Sequence, residues 1–162
     1  MTTIKPIPDG YHSLTPYLVV QDAAQALEFY KNAFAASELS RLNTPDGNIA
    51  HAEFKIGDSI FMLADENPHC TDHSPVTLGG TPVKLFLYIN DVDAVFTAAI
   101  KAGATQTMQP TNQFWGDRMG AVSDPFGHQW MIATHVEDVD PSEMPSRMAA
   151  FFAAQAAGGE TA

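Results

Sequence analysis

The feature that most constrains this chain is an internal repeat. Tyr17-Leu18-Val19-Val20-Gln21-Asp22 and Phe86-Leu87-Tyr88-Ile89-Asn90-Asp91 stand 69 residues apart, and the same spacing carries Phe61-Met62-Leu63-Ala64 onto Trp130-Met131-Ile132-Ala133. Both copies open with a β-branched and aromatic run that ends at an Asp. Repetition at one spacing means that one supersecondary unit is built twice.

The unit can be read from local signals. After an irregular lead-in broken by Pro6, Pro8 and Gly10, Thr15 to Val20 reads as a strand. Asp22 is a helix cap with Gln25 three residues on, and Ala23, Ala26, Leu27, Tyr30, Ala33 and Phe34 recur at helical spacing. A strand over 38–42, the strictly alternating His51 to Ile56, and Ser59 to Ala64 after a Gly57-Asp58 turn complete β-α-β-β-β. The second copy runs from a strand over 82–89 to a helix capped by Asp91 and closed by Gly103. A short strand over 105–108, a loop over 110–116, a strand over 118–123 and the turn Asp124-Pro125-Phe126-Gly127 lead to a last strand at 129–134. The expected class is α+β, with two paired modules forming a curled mixed sheet. The expected bounds are a single domain over 12–140 (modules about 13–65 and 82–136, linker 66–81) and a helical tail over 141–162. Met148, Phe151 and Phe152 give that tail an apolar side, and Pro145 argues for a late helix start.

Charge narrows the partners. The net charge is −11 with only eight Lys and Arg, so nucleic acid and anionic membranes are poor partners. No apolar run approaches the ~18 residues a membrane span needs. The N-terminus lacks the apolar core of a signal peptide, and Cys70 is the lone cysteine; both fit a cytoplasmic protein. Cys70 reads as a loop thiol beside His69 and His73, with weak metal potential.

Phe114-Trp115-Gly116-Asp117-Arg118, then Asp124-Pro125-Phe126-Gly127-His128-Gln129-Trp130, then Ala133-Thr134-His135 and Glu137-Asp138 resemble the vicinal oxygen chelate superfamily, in its PhnB-like branch. That superfamily includes glyoxalase I, bleomycin-resistance proteins and extradiol dioxygenases. The resemblance covers about residues 12–152. It implies that each module curls into half a cup, often completed across a homodimer. It also implies that metal-dependent members carry ligands at the positions of Thr15, Met62, Lys84 and Met131. Those side chains do not suit a divalent metal, which prefers imidazole, carboxylate or thiolate donors. No cofactor is therefore expected, with a divalent metal elsewhere as the alternative.

Period-two alternation assigns the remaining faces. Tyr17, Met62, Lys84, Phe86, Tyr88 and Met131 are expected in the cup, with Arg118 among its charges and Trp115 either closing over a ligand or packing on strand ends. Aromatic and thioether walls with few polar groups suit a small organic molecule. Met62 and Met131 read equally well as core packing. His51 and Glu53 share a strand face; they are candidates for an acid/base or displaced metal site, or with Lys55 for a solvated face. His128 is expected to bond locally within its turn. Three functions follow. The first is metal-free sequestration of a small, partly aromatic compound. The second is a lyase, isomerase or dioxygenase-type enzyme working around His51 and Glu53. The third is a structural or regulatory dimer.

Overall fold

Residues 4–67, 69 and 71–158 are described in a computed structural model; Cys70 lies outside them. The order is β1 (Tyr17–Val20), α1 (Ala23–Phe34), β2 (Ser37–Asn43), β3 (Ile49–Ile56), β4 (Ser59–Asp65), α2 (Pro75–Leu78), β5 (Lys84–Tyr88), α3 (Val92–Ala102), β6 (Thr105–Asn112), β7 (Asp117–Ser123), β8 (Gln129–His135) and α4 (Met144–Gly158). The α+β architecture of two βαβββ modules with a C-terminal helix is present. Each module contributes a four-stranded mixed sheet, ordered β1-β4-β3-β2 and β5-β8-β7-β6.

The repeat governs hydrogen bonding as well as element order. Tyr17 pairs with Met62 as Phe86 pairs with Met131, both in parallel ladders. Asp22 accepts from the Gln25 amide and Asp91 from the Ala94 amide, so both helices have side-chain caps. The first amide of each helix is also satisfied from the last strand: Ala23 donates to Asp65 and Val92 to Thr134. Each of these pairs keeps the 69-residue spacing.

Between the helix and the last strand the spacing slips. Helix α1 has 12 residues and α3 has 11. Their left-handed C-caps are Ala35 and Gly103, 68 apart. Strand register keeps that value, because Glu53 faces Met62 as Ala121 faces Met131. The longer Asp124–His128 turn then restores 69.

The helix-side faces of both sheets meet in one core. Leu18, Val20, Phe54 and Leu63 from the first module join Val92, Phe96, Val122 and Ile132 from the second. Trp130 is 1% exposed, and its ring lies 4.6 Å from Phe34, 5.5 Å from Tyr30 and 5.8 Å from Phe61. Phe61 and Trp130 occupy equivalent positions of the two modules, so the repeats touch through the same site. Rings at these separations add to the burial of their area.

Asp124 locks this joint. Buried at 4% exposure, it accepts from the Phe126 and His128 amides, from Tyr30 Oη at 2.8 Å and from Trp130 Nε1 at 2.9 Å. Burial, then the Asp124 charge, push the Tyr30 phenol well above its ordinary value. The Asp-Pro turn is thus an inter-module fastening. His128 does not bond only within the turn. Its Nε2 lies 3.1 Å from the Val19 carbonyl on β1, reaching across to the other module.

Two further expectations are corrected. Strand β6 continues through Pro110 to Asn112, where a loop was expected. Pro lacks a donor, but β6 is an edge strand with register breaks on either side of Met108, where a missing amide is tolerated. The linker also contains a short helix. Ser74 caps α2 by accepting from the Thr77 amide, and Glu66 accepts from the Ser74 amide.

Candidate ligand-binding site

The faces turned away from the shared core carry the cup residues. On β1 and β5, Leu18 and Val20 are buried while Tyr17, Phe86 and Tyr88 are exposed. Tyr17 also lines a cleft shared with Val83, Leu85 and His128 of the second module.

In the first module the lead-in crosses part of the face turned away from the core. Tyr11 hydrogen-bonds to Glu53, and a cleft formed by Pro6, Pro8, Tyr11, Thr15, Glu53 and Met62 lies beneath the segment. The bond to Tyr11 is the largest of the influences holding Glu53 below the ordinary carboxylate range. The same bond, then burial, push the Tyr11 phenol up to about 12. His51 Nε2 stands 3.5 Å from Glu53 Oε1, a long contact, and the His51 ring lies 5.9 Å from Tyr17. His51 and Glu53 are therefore adjacent, but the carboxylate is held primarily by Tyr11. Thr15 and Met62 line this cleft, which includes no residue of the second module.

A separate cleft of about 350 Å³ lies at the other end of the first sheet. Tyr17, Val19 and Ala64 form its wall, with Asp46, Asp65 and His69 at its rim.

In the second module the β5 face reads Lys84, Phe86, Tyr88. The Phe86 and Tyr88 rings lie 4.9 Å apart, and Met131 sits beside Phe86 in the ladder. Behind Tyr88 lies a cluster that sequence reasoning did not assemble. Asp117 is 1% exposed, yet three side chains donate to it or face it: Tyr88 Oη at 2.9 Å, Trp115 Nε1 at 2.8 Å and His135 Nδ1 at 2.8 Å. Burial alone would raise the Asp117 carboxyl. The His135, Tyr88 and Trp115 contacts together outweigh it and hold the group below its ordinary value. His135 Nε2 also lies 3.0 Å from Asp138 Oδ1. Ionised carboxylates only accept, so carboxylates at both ring nitrogens favour the doubly protonated, charged form of the imidazole. The Asp117 bond, then the Asp138 bond, raise its pKa. Residue pairing in the Trp115-Gly116-Asp117 turn was the signal available in the sequence, but no local rule links it to Tyr88 or His135.

Trp115 is half-buried by this bond and by an edge contact with Phe114, so it packs at the strand ends rather than standing free. Phe114 in turn meets Phe151 of α4 at 5.5 Å, and Arg147 pairs with Glu137, which dock the tail; Met148 and Phe152 remain exposed.

Arg118 is on the opposite face from the cup. It shares that face with Gly120 and the buried Val122, and its guanidinium grips Asp93 of α3 at 2.7 and 2.8 Å. The alternation correctly grouped the three residues, but Val122 fixes the group to the core side.

The four positions where metal-dependent relatives carry ligands hold Thr15, Met62, Lys84 and Met131, and that donor set does not fit a divalent metal. The first two line the cleft under the lead-in; Lys84 and Met131 lie on the other sheet. Among the described residues, no group of three or more His, Cys, Asp or Glu is placed to hold a metal ion. No described helix is long and apolar enough to cross a membrane.

The sequence profile of the Glyoxalase/Bleomycin resistance protein/Dioxygenase superfamily matches residues 10–132. The uncharacterised protein Rv0887c of Mycobacterium tuberculosis is 46% identical over 139 residues, covering 84% of this chain and 82% of that protein. Among solved structures, TioX from Micromonospora sp. ML1 superposes with a TM-score of 0.62 at 26% identity, over 77% of this chain and 99% of that one. The PhnB protein of Bacillus cereus, described as a putative 3-demethylubiquinone-9 3-methyltransferase, has the same fold. Its TM-score is 0.59 at 19% identity, over 76% of this chain and 99% of that one.

Proposed function

The chain belongs to the glyoxalase/bleomycin resistance protein/dioxygenase superfamily, and from that membership we propose that it is a metal-independent binding protein that sequesters a small, partly aromatic compound in the cytoplasm. The observation that carries this reading is the exposed row of Phe86 and Tyr88 beside Met131, itself at a position where metal-dependent members carry a ligand. Rings and a thioether form an adaptable apolar floor for a flat molecule. Because the Phe86 and Tyr88 rings are exposed, a homodimer that brings two such faces together would enclose the compound, and two-fold pairing is the commonest assembly. The test is a thermal-shift screen of divalent metals and aromatic metabolites on protein purified without chelator. Aromatic compounds should raise the melting temperature, since a ligand bound only by the native state stabilises it. Stoichiometric metal in the purified protein, lost on His51→Ala, would sink the metal-free reading.

A second reading is supported by the Tyr11–Glu53–His51 chain under the lead-in. A Glu53 carboxylate near an imidazole is the arrangement of an acid/base pair in a lyase or isomerase. Turnover abolished by both Glu53→Gln and His51→Ala, with binding retained, would establish it over sequestration.

A further inference from the structure

Resting on the reading of the second-module face as a ligand floor, we infer that this floor is polar at its two ends and selects a molecule with a matching order of groups. The ligand class is a flat aromatic compound with an anionic or acceptor group at one end and a neutral hydrogen-bond donor at the other.

The order comes from β5. Lys84, Phe86 and Tyr88 alternate onto one face, and all three are exposed. Lys84 forms no salt bridge with a described residue, whereas Arg41, Arg118 and Arg147 are all held by carboxylates. Its ammonium is therefore available to an acceptor. At the far end, about 13 Å along a strand that rises ~3.3 Å per residue, the Tyr88 hydroxyl has only one proton. That proton is committed to Asp117, because an ionised carboxylate cannot donate in return. Asp117 keeps its charge through its partners His135 and Trp115 as well. What Tyr88 offers outward is lone pairs alone. A carboxylate or carbonyl meeting it would find an acceptor against an acceptor, with the Asp117 charge behind. An N–H or O–H would find an oxygen made more basic by the bond it donates. Between the two ends lie the Phe86 ring and Met131, which contribute area and no direction.

The experiment measures binding to the full chain by titration calorimetry with four biphenyls substituted at the two far para carbons. They are the amino-carboxylate, the dicarboxylate, the diamine and the unsubstituted ring pair. The amino-carboxylate should bind about tenfold more tightly than either symmetric compound, the factor expected for one hydrogen bond involving a charged group. Tyr88→Phe should erase its advantage over the dicarboxylate, and Lys84→Gln its advantage over the diamine. Melting curves confirm that each variant is folded. Equal affinities for all four, or variants that leave both ratios unchanged, would overturn the polar order while the ligand floor itself stands. If none of the four binds and sedimentation shows a tight dimer with Phe86 protected, a second copy covers the floor, and both this inference and the reading beneath it fall.

Discussion

The two modules share a scaffold down to individual hydrogen bonds and differ where they face away from the core. Each has an Asp-capped helix, a first strand parallel to the last, and a last-strand side chain that accepts from the first helical amide. On the open faces the likeness ends. Register equates His51 with Met119 and Glu53 with Ala121, so the pair bonded near Tyr11 has only apolar counterparts. Conversely, Asp117 corresponds to Ile49, which is a buried apolar residue. Each module thus places a carboxylate near a histidine, but on different rows, with different partners. The scaffold is set by backbone needs that both copies must meet. The open faces are free of that demand and have diverged.

Removing the residue that joins the modules should have the largest effect. Asp124→Ala leaves two buried side-chain donors and two amides without their acceptor. At 1–3 kcal/mol for an unsatisfied buried group, partly relieved by water, the loss should be about 4 kcal/mol. The melting temperature should fall by about 10 °C in calorimetry. A fall under ~2 °C would mean that the joint rests on ring packing alone.

Asp117→Ala should cost less, about 2 kcal/mol in denaturant unfolding, because Tyr88 and His135 can turn to water. Its sharper signature is electrostatic. The folded His135 pKa is raised, so its stabilisation is complete below about 6.5 and is lost as pH rises through the folded value. The Asp117 carboxyl is lowered, so its share is present above the ordinary carboxylate range and is lost as pH falls through the folded value. NMR titration of the His135 ring should give a value above 6.5 in the native chain and a lower one in Asp117→Asn. An unchanged value would show that Asp138 alone sets it.

Gly120 and Ala52 are equivalent positions, and only one has room for a methyl group. A Cβ on Gly120 would meet the Phe96 ring at 2.9 Å and Pro110 at 3.1 Å. Gly120→Ala should therefore destabilise by about 1.5 kcal/mol. The helix ends make the smallest contrast. Ala35 holds a left-handed cap at φ 53°, where the second module uses Gly103. Ala35→Gly should stabilise by ~0.5 kcal/mol, seen as a small rise in denaturation midpoint. A loss of stability would show that the Ala35 methyl contributes packing that outweighs its strained backbone.

What was legible in the sequence was local. Helix caps, Gly103 and the alternation of β1, β3 and β5 follow from residues within a few positions of each other. The 69-residue spacing exposed the modules because the strands at their ends preserve it, and it concealed the slip to 68 in between. Arg118 was misplaced for a specific reason. Alternation tied it to Val122, but its charge suggested a pocket, and only the position of Asp93 on α3 shows where the side chain goes. Asp117 and Asp124 escaped because their partners come from distant strands and helices. A buried carboxylate is legible only once its donors have been brought around it.

The four sheet edges have a consequence for assembly. Strand β1 is four residues long and its Val19 carbonyl is engaged by His128, while β5 has five residues and begins at Lys84. Strand β2 is irregular in register and carries the Glu38–Arg41 ion pair; β6 contains Pro110 and is irregular as well. Short, charged, proline-bearing and bulged edges are poor templates for a further strand. Sheet extension from any of the four edges is therefore disfavoured, which guards the chain against aggregating strand to strand.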